Sequence, residues 1–200
     1  MYKNIIILGS RRSGKSTLAR MISNKYGYSL INIDNIIDTF EEIFPKNDDD
    51  ENYDEYITNF INEYIKRLSS DSNFYNDKKY VIEGNVPNVE KIISNLDMEK
   101  NTVIGLVYNE ITQDQFFENM RKFDSPYDWT RYLSDELLQD KIKEYLDEND
   151  KISNSFDECS ISKFDVSDKR ELTFDIILDA IEEYAKFGSL VYSKKIYDKD

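Results

Sequence analysis

The 200-residue chain contains no histidine and a single cysteine, Cys159. Histidine-based acid–base catalysis is thereby excluded, as are an internal disulfide and the Cys/His sets that hold zinc. No apolar run approaches the ~20 residues of a membrane span, and the short N-terminal one ends at Leu8 in a glycine turn rather than at a cleavage site. The sequence therefore reads as cytoplasmic, with no membrane partner. Acids are missing from the first 33 residues, which hold Lys3, Arg11, Arg12, Lys15, Arg20 and Lys25; that segment carries +6 and the remaining 167 residues −20. An anionic ligand is drawn to that one basic region, whereas a nucleic-acid duplex meets repulsion nearly everywhere else, so no nucleic-acid partner is expected. With 40% hydrophobic and 33% charged residues, the length suits one medium domain with a sizeable core.

What is present is a loop. Only six glycines occur in the chain, yet two of them fall in Gly9-Ser10-Arg11-Arg12-Ser13-Gly14-Lys15-Ser16, which fits the pattern of Gly, four free positions, Gly, Lys and Ser or Thr. Ile5 to Leu8 before it reads as a buried strand and Thr17 to Ile22 after it as a helix start, the context in which such a loop binds phosphate. Successive backbone N–H groups then face phosphate oxygens, and the helix N-terminus adds its positive end. Lys15 would reach the β- and γ-phosphates, Ser16 would offer its hydroxyl to Mg²⁺, and Thr17 would stand near the α-phosphate. Arg11 and Arg12 occupy free positions, either as an additional phosphate clamp or as solvent-facing charges.

Beyond the loop, the first helix should stop at Tyr26-Gly27. A strand over Leu30 to Ile33 delivers Asp34, a candidate to orient and deprotonate an acceptor hydroxyl or, alternatively, the N-cap of a helix over Asn35 to Phe44. The run Asp48 to Glu51 lacks the spaced oxygens of a calcium loop and reads as a solvated turn. Apolar steps of three and four from Tyr56 to Leu68 predict an amphipathic helix, with Arg67 near its end either a surface charge or a substrate contact. Tyr80 to Ile82 is a third strand delivering Glu83, either a Mg²⁺ carboxylate or the cap of a helix over Val89 to Leu96, and Gly84 permits close backbone approach. Thr102 to Tyr108 is a fourth strand and Ile111 to Phe123 a helix. Arg121 and Arg131 then bracket a break at Asp124 to Trp129 that reads as mobile. Leu133 to Cys159 fits one helix or two. Lys163 to Val166 is a fifth strand, and a helix over Leu172 to Phe187 is ended by Gly188, leaving a tail over 189–200. The alternation predicts one α/β unit over 1–188 with a parallel sheet.

Carried by the loop GSRRSGKST, the strand ending in Asp34, the segment VIEGNVP and the Arg-bracketed break, the chain resembles the small phosphate-loop kinases of the adenylate kinase and shikimate kinase group. The resemblance implies a P-loop NTPase fold with a five-stranded parallel sheet in order 2-3-1-4-5 and a helical lid over about 121–131. It also implies Mg-ATP as donor, with Arg121 and Arg131 on the transferring phosphate, a substrate site between Asp34 and the lid, and Ser167 to Arg170 near the adenine. Glu83 departs from the group's Asp, and Asn88 stands where adenylate kinases place an Arg that helps hold a mononucleotide phosphate. The activity expected is ATP-dependent phosphoryl transfer to a small-molecule acceptor, a nucleotide or hydroxylated metabolite. A degenerate kinase that binds nucleotide and regulates is the alternative, and a GTPase-like switch is disfavoured because no Asn-Lys-x-Asp motif follows.

Overall fold

Short β-branched runs buried on both faces can only be central strands of a covered sheet, and β1 (Asn4–Gly9) and β3 (Tyr80–Glu83) are buried at every position. The computed structural model describes residues 4–46, 51–70, 78–126 and 128–187, the last four for their backbone alone. The acids at 48–50, the loop at 71–77, Tyr127, the Gly188 stop and the 189–200 tail lie outside the described residues. Five parallel strands, completed by β2 (Ser29–Asn32), β4 (Asn101–Val107) and β5 (Lys163–Asp165), lie in the order β2-β3-β1-β4-β5. Ile5 sits opposite Val81 on one side and Thr102 on the other.

Alternation along β1 divides the core. Ile5 and Ile7 join Leu18 and Ile22 of α1 (Lys15–Tyr26), Phe116 of α5 (Gln113–Phe123) and Phe174 of α7 (Arg170–Phe187) on one face. On the other, Ile6 and Leu8 meet Ile33 of α2 (Ile33–Ile43), Ile57, Ile61 and Ile65 of α3 (Tyr53–Leu68), and Ile92 of α4 (Val89–Ser94). Because β1 feeds α1 on the first face and β3 feeds α4 on the second, the chain parts between their C-terminal ends and leaves a crevice there.

The region left open as one helix or two is a single helix, α6 (Asp135–Glu158). It serves both cores, placing Ile142 and Tyr145 on the first and Phe156 on the second. Phe156 is fully buried against Gly105 of β4, where any Cβ would come within 2.8 Å of its ring. Between these contacts lies Asn149, 3% exposed, which donates to the Tyr108 carbonyl (2.8 Å) while its Oδ1 accepts from Tyr108 N–H (2.8 Å) and Ser10 Oγ (2.5 Å). Every polar atom of that side chain has work to do, so a buried amide tolerated in the core register fastens α6 to the phosphate loop.

One boundary differs from the sequence expectation in a way that matters. β2 stops at Asn32, whose side chain caps α2 by accepting from Asn35 N–H (2.8 Å), so Ile33 starts a helix instead of ending a strand. Asp34 therefore lies in the first helical turn and is not the cap.

Candidate active site

The loop itself is built by backbone geometry. Gly14 adopts φ 91°, ψ 21°, a left-handed conformation costly for other residues, and a Cβ there would lie 2.7 Å from the Phe174 ring. No side chain caps α1, so its first N–H groups lack partners within the helix and form an anion site. Ser13 Oγ is a buried loop hydroxyl with no hydrogen-bond partner among the described residues.

Lys15 is 6% exposed and donates to Gly9 O (3.0 Å), Ser10 O (2.9 Å) and Asn85 Oδ1 (3.0 Å). Burial lowers its ammonium to about 8, against the opposing pull of Asp34 and Glu83. Glu83, 2% exposed at the tip of β3, accepts from Ser16 Oγ (3.0 Å) and from the Asn32 side chain. It does not cap α4, since Asn88 does so by accepting from Lys91 N–H (2.8 Å). Ser16 and Glu83 thus bring a hydroxyl and a carboxylate together. Among the described residues no set of three or more His, Cys, Asp or Glu could hold a metal alone. That donor set suits Mg²⁺, which binds through one or two protein oxygens and takes its remaining ligands from phosphate and water.

Asp34 Oδ1 accepts from Asn85 N–H (2.7 Å), an approach that Gly84 permits at φ 152°, where a Cβ would lie 3.0 Å from that same oxygen. Asp34 and Asn85 consequently share a wall between two cavities. The first, of about 820 Å³, is lined by Lys15, Ser16, Thr17, Arg12, Phe123 and Arg170 among others. The second, of about 800 Å³, opens between α2, the turn after β3 and α6, and includes Arg11 and Trp129.

The two loop arginines diverge toward these cavities. Arg11 pairs with Glu148 (2.8 Å) and lies over the Tyr145 ring. Arg12, held at φ 62°, reaches Asp124 and Asp128 (3.2 Å to the latter) across the first cavity, while Asp124, its side chain 1% exposed, also accepts from Thr130 Oγ1 (3.1 Å). The segment after α5 is therefore clasped to the loop through its acids. Its own arginines are occupied elsewhere: Arg121 donates to the carbonyls of Thr130, Arg131 and Leu133 and to Asp135 (2.7 Å), and Arg131 to the Asp124 carbonyl (3.1 Å). Neither lines either of these two cavities. Arg121 thus satisfies carbonyls in and just after the one-turn 3-10 segment Trp129–Tyr132, and Arg131 satisfies the carbonyl that follows α5. Arg67 is exposed and remote. Helix α3 runs back toward the strand starts, where neighbouring Ser69 meets Asn4 and Asn101, so Arg67 lies at the sheet edge opposite the loop and lines neither of the two cavities. Arg170 does join the first cavity, packed over the Phe123 ring (5.4 Å), with its guanidinium near the Arg12 carbonyl.

Sequence reasoning missed Asn85, Asn149 and the Arg12–Asp124 clasp. Asn149 had a signal, since it falls in the apolar register four residues after Tyr145 and seven before Phe156. The clasp had none, as its partners are far apart in sequence.

No family model and no curated protein matches the sequence. Solved structures do match the fold. A shikimate kinase from Bacteroides thetaiotaomicron superposes with TM-score 0.58 at 17% identity, covering 90% of this chain and 98% of that one. One from Aquifex aeolicus gives 0.52 at 21% identity, with 92% and 99% covered. An uncharacterised protein from Eubacterium ventriosum gives 0.54 at 13% identity, with 92% and 99% covered. The chain has the fold of a small phosphate-loop kinase of the shikimate kinase kind, on sheet order and on superposition.

Two outcomes are expected from this geometry. A phosphate favours the charged form of Lys15 and raises its pKa, so Mg-ATP affinity should fall as pH rises through about 8. Binding above that pH should take up about one proton, read by calorimetry in buffers of different ionisation enthalpy; Lys15→Arg should abolish the uptake. Arg12→Ala should quicken amide exchange of Asp124, Ser125 and 128–132 by about tenfold or more, since a charge-assisted bond contributes roughly 1.5–3 kcal/mol. Unchanged exchange would mean the clasp holds nothing in place.

Proposed function

We propose that this chain is an ATP-dependent phosphotransferase, with Mg-ATP in the first cavity and a hydroxylated small molecule in the second. The observation that carries the reading is the shared wall: Asp34 and Asn85 line both cavities, and Asn85 holds the Lys15 ammonium. A donor and an acceptor on opposite sides of that wall would approach one cation, as in-line transfer needs. Lys15 would exchange its loop carbonyls for phosphate oxygens, and its burial strengthens that contact. Ser16 and Glu83 would hold Mg²⁺, which when bound neutralises charge on the phosphate oxygens. The acceptor oxygen forms its bond to the γ-phosphorus as the bond to the β,γ-bridging oxygen breaks. Asp34 orients the hydroxyl and accepts its proton, while the Asn85 N–H fixes the carboxylate. Neither a nucleic acid nor a membrane is part of this reading; no helix among the described residues is long and apolar enough to cross a bilayer.

One observation favours a second reading, a nucleotide-binding protein that does not transfer. Arg121 and Arg131 are spent on backbone carbonyls and Asp135, so the cations lining the first cavity are Arg12, Lys15, Arg20, Lys122, Lys169 and Arg170, with none from the 3-10 segment Trp129–Tyr132. Asp34→Asn distinguishes the two. The amide oxygen still accepts from Asn85 N–H but takes no proton, so melting temperature and ATP affinity should hold while acceptor-dependent ADP formation drops about 10²–10⁴-fold. Full retention of transfer would remove Asp34 from the mechanism, and absence of transfer in the wild-type protein across alcohol acceptors would favour the second reading.

A further inference from the structure

The second cavity has a charge of its own. Asp34, Asp38, Glu41, Glu90 and Glu148 line it against two cations, Arg11 and Lys151. Arg11 is already neutralised by Glu148 at 2.8 Å, and Lys151 is exposed. Asp38 and Glu41, one turn apart on α2, form no ion pair among the described residues. An anionic acceptor would thus meet only the exposed Lys151 unless it displaced Glu148 from Arg11, and in either case would sit beside carboxylates left without counter-charge, Asp38 and Glu41 being as exposed as Lys151. A cationic acceptor meets the opposite situation. It finds the free carboxylates of α2 on one wall and, at 57% exposure, the face of Trp129 on another, and aromatic faces attract ammonium groups. Ile37, Val86 and Ile152 supply apolar wall, which suits a carbon frame, and a volume of about 800 Å³ suits a small molecule.

We propose that the acceptor is an amine-bearing alcohol, cationic at neutral pH, whose ammonium group is held by Asp38 and Glu41 while its hydroxyl faces Asp34. This rests on the phosphotransferase reading and names the chemistry of its second substrate. The α2 carboxylates are specificity-determining groups, and the arrangement selects against carboxylate- and phosphate-bearing acceptors.

The chain's sole tryptophan, Trp129, lines this cavity and reports on it. Quenching of its fluorescence by caesium relative to iodide should exceed that ratio for free N-acetyltryptophanamide by about threefold or more, and Asp38→Asn/Glu41→Gln should bring it back toward the free value. Glucosamine, glucose and glucuronate, which share a ring and differ in charge, are then titrated into the protein with Mg²⁺ and a non-hydrolysable ATP analogue. Glucosamine should bind at least about tenfold more tightly than glucuronate, with glucose between, and the double variant should erase most of the difference. A caesium-to-iodide ratio no higher than that of free N-acetyltryptophanamide, or a lack of preference among the sugars that includes no binding by any of them, overturns the proposal. Calorimetry of the same protein with the ATP analogue keeps the two readings apart: if the analogue binds and the amine is not preferred, the acceptor class alone is wrong, whereas absent nucleotide binding removes the phosphotransferase reading itself.

Discussion

A buried ammonium group sets the terms for the rest of this structure. Lys15 is withdrawn from water at the start of a helix whose dipole already places positive charge there, so two unfavourable electrostatic effects coincide. Three oxygens compensate: two loop carbonyls and the side chain of Asn85. The carbonyls require the loop to close tightly over the lysine, which Gly14 makes possible, and Asn85 requires β3 to end beside β1. Parallel pairing of these strands and the glycine conformation are thus constraints on one cation. Such an arrangement is poised for an anion, because a phosphate can replace neutral acceptors with a charged one.

From that cation the surroundings extend in two directions. Ser10, next to Gly9, hands its hydroxyl to Asn149, which ties the loop to α6 and to the end of β4. On the other side Arg12 reaches the acids that follow α5. The segment over the first cavity is consequently held by carboxylates on a loop arginine, with its own arginines turned inward to carbonyls. Phosphates arriving at Arg12 would compete with Asp124 and Asp128, and would thereby couple their own binding to the position of this segment by simple charge competition. Arg11 leads the opposite way and, through Glu148, leaves the second cavity acidic. Adjacent residues of one loop therefore give the two cavities different electrostatic characters.

The fold was legible wherever a local pattern determines it. The β-branched run before Gly9, the three-and-four spacing from Tyr56 to Leu68 and the glycine stop after Tyr26 each depend on burial or backbone conformation within one element, and each element formed where it was read. Glu83 and Ser16 were legible as partners because loop and strand tip are neighbours in any sheet that puts β3 beside β1. The placements that were not legible share a cause. Arg67 has the right chemistry at the wrong end of a helix, and helix direction relative to the strands is a tertiary fact. That Arg121 and Arg131 turn to the carbonyls of Leu133 and Asp124 was not legible, because acceptors left over at the ends of helical segments leave no trace in residue identity. Asp34 was placed at a strand tip, and one residue of extra helix, directed by Asn32, turned it onto the wall it shares with Asn85.

The central claim is that the loop around Lys15 binds the phosphates of a nucleotide and that its lysine serves the ligand rather than the fold. Calorimetric titration of Lys15→Ala with Mg-ATP, beside the wild-type protein and with melting curves for both, tests it most directly. The account requires one binding site in the wild-type protein and its loss in a variant that still melts cooperatively. Equal affinity in the folded variant would contradict it.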